Sequence, residues 1–241
     1  MKVKDGKIKL QKFLQNAGVA SRRKCDEFII KGKIFVNSIV GQIGQTINPD
    51  EDFVTLNGKQ IQTSKSEKKI YLMLYKPRGY ITTLIDEKGR KCITELIKDI
   101  PDRVYPIGRL DKDSEGLLLL TNNGDFANKV MHPSGNIPKT YRVTVRPKVI
   151  KDQLENLING IEIDGKKTLP ANIKIISQER DKSIFQIIIF EGRNRQIRKM
   201  CKAVGLSIAR LKRTAIGELK LGMLPVGKYR NLSDQEIESL A

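Results

Sequence analysis

GRLDKDSEGLLLLTNNGDF, residues 108–126, is the stretch from which the rest of the chain is best read. Asp111, Asp113 and Glu115 precede the run Leu117, Leu118, Leu119 and Leu120. A run this short, with no polar residue and closed by Asn122-Asn123-Gly124, reads as a strand ended by a turn. A helical pattern follows over 125–131. The spacing D-x-D-x-E-G matches the first half of a calcium-binding loop. That loop needs a bidentate acid at its twelfth position, where this chain has Asn122, and a helix on each side, so the calcium reading fails. A solvated acidic turn ahead of a buried strand is the plain alternative to a reactive site.

Outward from this segment, short strands and helices mix. YLMLY (71–75) reads as a buried strand, Lys76-Pro77-Arg78-Gly79 as a turn, and Tyr80 as the opening of the next strand. Tyr141, Val143 and Val145 alternate with Arg142, Thr144 and Arg146, the period of a half-buried strand. Strands are expected at 171–177 and 184–190, and helices at 150–158 and 194–204. Because strands and helices do not alternate strictly, the fold class expected is α+β with a mainly antiparallel sheet, not a doubly wound parallel one. His132-Pro133 reads as a helix end.

Residues 1–62 form a separate patterned unit. Leu10, Phe13, Leu14 and Ala17 recur at helical spacing, and Gly18 can end that helix. Ser21 is placed to cap a second helix with Cys25, Phe28 and Ile29 on its apolar face and Gly32 at its end. Ile34 and Val36, then Val54 and Leu56, read as strands, the latter leading into the hairpin signal Asn57-Gly58 before Ile61. TSKSEKK (63–69) has linker composition, which leaves 70–241 as the larger domain.

The chain of 241 residues carries 45 Lys+Arg against 27 Asp+Glu, a net charge of +18, and is 39% apolar. It can bury a core, and its excess charge calls for a polyanionic partner, nucleic acid before membrane. The excess is about +7 on residues 1–69 and +11 on 70–241, so two basic units are expected to contact nucleic acid. Cys25, Cys92 and Cys201 form no C-x-x-C pair, and His132 is the single histidine, which argues against disulfide frameworks and metal sites. With no apolar run of membrane length and no secretory h-region, a cytoplasmic protein is expected.

Four ordered blocks make the sequence recognisable. They are the segment 108–124, Lys139-Thr140-Tyr141, EGRNRQIRKM (191–200) and the stretch from Arg210 to Leu221. Over nearly its whole length the chain resembles the RsuA/RluB-type ribosomal RNA pseudouridine synthases, and its Arg193-Asn194-Arg195 is more similar to the large-subunit branch. LQKFLQNAGVASRRKCDEFIIKGKIFVN (10–37) resembles an S4-type RNA-binding domain, with Ser38 where glycine is usual. Serine occupies a positive-φ turn less cheaply than glycine.

The resemblance implies a uridine-to-pseudouridine isomerisation: the N1–C1′ bond breaks, the base turns, and C5 takes its place. It implies no redox cofactor, nucleotide energy source or metal. Asp111 is implied as the nucleophile or as the stabiliser of cationic character at the sugar, and Arg198 as its basic partner. Tyr141 is implied as the ring that stacks on the flipped target base. Each has a plainer alternative: a turn carboxylate, a phosphate-facing arginine, a core tyrosine. Leu211 or Ile216 is a candidate apolar wall, though core packing explains either equally well. Candidate RNA contacts are Lys12, Ser21, Arg22, Arg23, Lys31 and Lys33 in the first unit. In the second they are Arg109, Lys139, Arg193, Arg195 and Lys199; residues 193–213 hold eight Lys+Arg and no acid. On the helix expected at 194–204, Arg195, Lys199 and Lys202 are read as lying opposite the apolar face of Ile197, Met200, Cys201 and Val204, with Arg198 on the flank between them. The partner expected is ribosomal RNA or a ribosomal precursor particle, bound by a monomer. The rival readings are a non-catalytic assembly factor and a synthase acting on a small-subunit or transfer RNA site.

Overall fold

The structure is a computed structural model describing residues 6–62, 68–132 and 135–240; part of the expected linker (63–67) and Pro133 lie outside the described residues. The chain divides into two compact units, Met1–Glu67 and Lys68–Ala241. Among the described residues no helix is long and apolar enough to cross a membrane.

In the first unit, β1 (Ile8–Lys9) runs into α1 (Leu10–Asn16), followed by α2 (Arg22–Ile30). The Ser21 hydroxyl accepts from the Lys24 amide at 3.3 Å, capping α2 as expected. β2 (Ile34–Val36), β3 (Ile39–Val40), β5 (Val54–Leu56) and β6 (Lys59–Gln60) form a sheet in the order β3-β2-β5-β6, while β4 (Thr46–Ile47) pairs with β1. Leu10, Phe13, Leu14, Cys25, Ile29, Ile34, Val36, Ile47 and Val54 make its core. The β2–β3 turn puts Asn37 at φ 50° and Ser38 at φ 68°, so serine does occupy a glycine-type conformation. Asn37 holds that turn: its Nδ2 donates to Asp52 Oδ1 at 2.7 Å, and its Oδ1 accepts from the Phe53 amide at 2.8 Å.

The second unit begins with β7 (Tyr71–Lys76) and a 3-10 turn (Ile93–Leu96), then β8 (Tyr105–Ile107), β9 (Glu115–Thr121) and α3 (Gly124–Met131). β10 (Lys139–Arg146), α4 (Lys151–Asn159) and the hairpin β11 (Glu162–Ile163) and β12 (Lys166–Lys167) follow. β13 (Asn172–Gln178), β14 (Ser183–Ile189), α5 (Gln196–Ala203), β15 (Ser207–Ile216), β16 (Leu219–Lys220), β17 (Tyr229–Asn231) and α6 (Asp234–Glu238) complete it. The large sheet runs β13-β14-β10-β15-β9-β7-β17, with β16 on β15 and β8 on β9. Every pairing in it is antiparallel except β15 with β9. This matches the expected α+β class with a mainly antiparallel sheet.

The leucine run is explained by what covers it. Leu117 and Leu119 pack with Phe126, Ala127 and Val130 of α3, whereas Leu118 and Leu120 pack with Ile93 and Ile97 on the other face. Each buried leucine stabilises by roughly 1.5–3 kcal/mol, which both faces of β9 collect. A separate core joins Val143, Val145, Phe185, Ile187 and Leu211 to Ile197, Met200 and Cys201 of α5.

The two halves of the sheet meet where β15 runs parallel to β9 over only two pairs, Lys212 with Glu115 and Arg213 with Gly116. Gly116 has φ +109°, and a Cβ there would lie 2.2 Å from the Arg213 carbonyl oxygen. The Arg213 side chain extends this short ladder, its Nε donating to the Leu117 carbonyl at 2.7 Å. Arg210 pairs with the buried Glu115 across the same seam.

Two expectations fail next to β7. Tyr80 opens no strand; between β7 and the 3-10 turn the ladder contact is a single parallel bridge, Ile81 with Cys92. Lys76 is not a turn residue but the last residue of β7, and it is 0% exposed. Its ammonium donates to the carbonyls of Pro77 (3.0 Å), Asp111 (3.0 Å) and Ser114 (2.8 Å), so its three protons meet three acceptors. The residues after β7 also brace the 110–114 loop. The Gly79 amide donates to the Lys112 carbonyl at 2.8 Å, and the Thr82 hydroxyl donates to the Leu110 carbonyl at 2.7 Å.

Gly116→Ala is expected to cost about 3 kcal/mol or more, since positive-φ strain and overpacking against backbone add; urea unfolding measures it. Burial pushes the Lys76 ammonium down from 10.5 to about 8, against the pull of Asp111, Asp113 and Glu115. Between those values the folded protein binds fewer protons than the unfolded chain. This group's contribution to stability therefore grows as pH rises through that window and is lost as pH falls through about 8. Lys76→Met should flatten that slope when urea unfolding is compared at the two ends of the window.

Candidate active site

The three carboxylates of the 111–115 segment have different fates. Glu115 is buried and neutralised by Arg210, a structural pair. Asp113 is exposed. The Asp111 side chain is 31% exposed and lies beside two guanidinium groups, with Arg195 Nη1 at 3.4 Å and Arg198 Nε at 3.7 Å. Both approach the same oxygen, Oδ2. The backbone of Asp111 is fixed independently: its carbonyl accepts from Lys76 and from the Ser114 amide, the latter at 3.0 Å. Loop position and side-chain orientation thus have separate supports.

Arg198 stands where the helical pattern puts it, on the flank of α5 beside the buried Ile197, Met200 and Cys201. Its Nη2 donates to the Asp113 carbonyl at 3.1 Å and to Ser114 Oγ at 3.3 Å. Its Nε is buried and makes no hydrogen bond. Burial, then the neighbouring Arg195, lowers its pKa, and Asp111 and Asp113 oppose that.

Arg195 departs from expectation. Read from sequence as an RNA contact on the far side of α5, it contacts Asp111. Helical extrapolation fails because Arg195 precedes the helix, at its N-cap, with φ 51° and ψ 32°. That left-handed backbone costs a non-glycine residue about 1 kcal/mol and turns the side chain off the helical wheel. The segment before it is held by Gln196, which sequence reasoning overlooked. This buried side chain accepts from the Arg193 amide at 3.1 Å and donates to Glu191 Oε1 at 2.8 Å.

Two other expected RNA contacts are engaged within the protein. Arg193 donates to the carbonyls of Ile163, Lys166 (2.9 Å) and Lys167 (3.3 Å), fastening the β11–β12 hairpin. Lys199 pairs with Asp164 of the same hairpin at 2.5 Å. Arg109 is exposed, as are Lys12, Ser21, Arg22, Arg23, Lys31 and Lys33 in the first unit.

Tyr141 and Lys139 alternate with exposed Arg142 on β10 and are half-buried. Tyr141 is opposite Arg213, which is itself opposite Gly116, so the three form one row across β10, β15 and β9. Tyr141 packs against the cores on both sides of that row. Burial, and then Arg213, lowers the Lys139 pKa. Leu211 and Ile216 are both buried in core clusters. Among the described residues no group of three or more His, Cys, Asp or Glu side chains could hold a metal ion. Besides Gln196, Lys76 and Arg213 were missed. The only signal was a cation directly after five strand residues for Lys76, and none marked Arg213 beyond its place in a basic run.

Such an arrangement offers one carboxylate with a clamped oxygen and a free one, beside a half-buried aromatic strand and a surface rich in cations. Residues 70–203 match the family described as RNA pseudouridylate synthase. The chain is 45% identical over 235 residues to the ribosomal large subunit pseudouridine synthase B of Bacillus subtilis, covering 96% of this chain and 95% of that protein. It is 35% identical to the dual-specificity RNA pseudouridine synthase RluF of Escherichia coli, covering 98% of this chain and 79% of that protein. A crystal structure of a pseudouridylate synthase superposes with a TM-score of 0.71 at 28% identity, covering 97% of this chain and all of that one. This protein belongs to the RNA pseudouridylate synthase family.

Proposed function

We propose that this protein converts a specific uridine of large-subunit ribosomal RNA to pseudouridine, with Asp111 as the reacting carboxylate. The observation that carries the reading is the Asp111 carboxylate held between two arginines on a loop fixed by Lys76. The reaction exchanges one glycosidic bond for another within a single nucleotide, so it balances without an electron donor or group donor. It does require a nucleophile or cation stabiliser at C1′ and a target base removed from its stack. Arg198 then orients Asp111 and compensates for its partial burial, and Tyr141 supplies the stacking face. The large-subunit substrate is inferred from the similarity to the ribosomal large subunit pseudouridine synthase B of Bacillus subtilis.

Residues 1–62 are proposed to be an S4-type RNA-binding domain, joined by the 63–69 linker to a catalytic domain spanning 70–241. Lys24 in the first turn of α2 pairs with Glu27 at 2.7 Å, but Arg22 and Arg23 beside it oppose the helix macrodipole. A helix-stabilising role does not account for them, and phosphate contact does. Lys12, Lys31 and Lys33 add to that exposed charge. In the second unit Arg109 and Lys139 are the proposed backbone contacts. A cytoplasmic monomer acting on ribosomal RNA or its precursor particle is part of the same proposal.

Asp111→Asn should abolish tritium release from 5-tritiated uridine in ribosomal RNA while leaving RNA affinity near that of the parent; full turnover would remove the reading. Deleting residues 1–62 should weaken RNA binding and reduce its salt dependence, while the thermal transition of the remaining chain persists. Unchanged affinity and salt slope would count against the S4 assignment.

A further inference from the structure

Arg195 breaks two local rules at once. At the N-cap of α5 an Asn, Asp, Ser or Gly would be favoured, and Arg195 makes no capping hydrogen bond with its side chain. Its backbone is left-handed, which glycine adopts freely and arginine does not. A residue that fails as a cap and strains its backbone is kept for what its side chain reaches. It reaches Asp111 Oδ2, the oxygen that Arg198 Nε also faces.

We propose that Arg195 is a second positioning residue for the isomerisation, which with Arg198 clamps Asp111 Oδ2 so that Oδ1 is the oxygen presented to the ribose. This rests on the assignment of Asp111 as the reacting carboxylate. Two cations on one oxygen desymmetrise the carboxylate: Oδ2 carries the ion pairs and Oδ1 keeps its lone pairs for the substrate. One arginine would leave the group free to rotate about its Cβ–Cγ bond. Two, approaching from the N-cap and from the third helical residue of α5, fix its plane. The supports on the two sides are independent. Arg198 is tied to Asp113 and Ser114 of the Asp111 loop, whereas the segment leading to Arg195 is braced by Gln196 and Glu191. The Arg195 side chain is 44% exposed against 16% for Arg198, so it is the more replaceable of the pair.

The test uses Arg195→Gly and Arg195→Lys in the full-length protein. Single-turnover tritium release is followed with protein in excess over large-subunit ribosomal RNA from cells lacking it. Arg195→Gly relieves the left-handed strain and should raise Tm, yet its rate at saturating protein should fall about tenfold, the loss of one partly exposed charged donor, with RNA affinity largely kept. Arg195→Lys restores a cation near Oδ2 and should recover most of the rate without the gain in Tm. A saturated rate equal to the parent's, with weaker binding and a shallower salt dependence, would make Arg195 a phosphate contact and overturn the proposal. A drop in Tm on Arg195→Gly would make it structural and overturn it too. Asp111→Asn run alongside separates the two failures. If it turns over, the Asp111 assignment falls; if it is inactive while Arg195→Gly runs at the parent rate, only the clamp falls.

Discussion

Two backbone residue pairs, backed by shared apolar packing, join the two halves of the second unit's sheet. β9 and β15 run parallel only through Lys212–Glu115 and Arg213–Gly116, while Ile216 at the end of β15 packs with Leu117 and Leu119 of β9. A parallel pairing that short is weak in itself. It persists because Gly116 lets the Arg213 backbone approach closely, because Arg213 Nε supplies an extra donor to Leu117, and because Arg210 neutralises Glu115. Asp111 precedes β9 and Tyr141 is one strand beyond β15, so the seam lies between the two.

The seam and the loop above it also change the meaning of the net charge. An excess of +18 reads naturally as a grip on phosphate. Yet Lys76, Arg193, Arg198, Arg210 and Arg213 all donate to carbonyls or carboxylates inside the second unit. Internally paired cations of this kind, of which Lys76 and Arg213 are buried, replace backbone donors where strands diverge or loops leave the sheet. They hold irregular backbone in place without a continuous ladder, which suits a unit whose candidate site is carried on a loop.

Much of this was legible in the sequence because it is periodic. The alternation at Tyr141, Val143 and Val145, the apolar face of α5 and the cap at Ser21 are local patterns, and the structure follows them. The pairing of Asp111 with Arg198 was legible only through the motif blocks, since 87 positions separate them and no periodicity links them. What escaped is non-local or breaks a period. Lys76 looked like the start of a turn because its three acceptors lie elsewhere in the chain. Arg195 was misplaced because a helical wheel cannot describe a residue just before the helix. Tyr80 looked like a strand residue, yet the segment after β7 turns aside to brace the 110–114 loop through Gly79 and Thr82.

The seam sets an order of events for a chain made from its N-terminus. β7 and β9 can pair as soon as both have emerged, and with α3 they already bury most of one core. β15, which carries Arg210 and Arg213, arrives only after β10, β13, β14 and α5 have been synthesised. Until then Glu115 lacks its Arg210 partner and Gly116 lacks the strand it faces. The two guanidinium partners of Asp111 come 84 and 87 positions after it in the chain, so the loop is made well before the groups that clamp it.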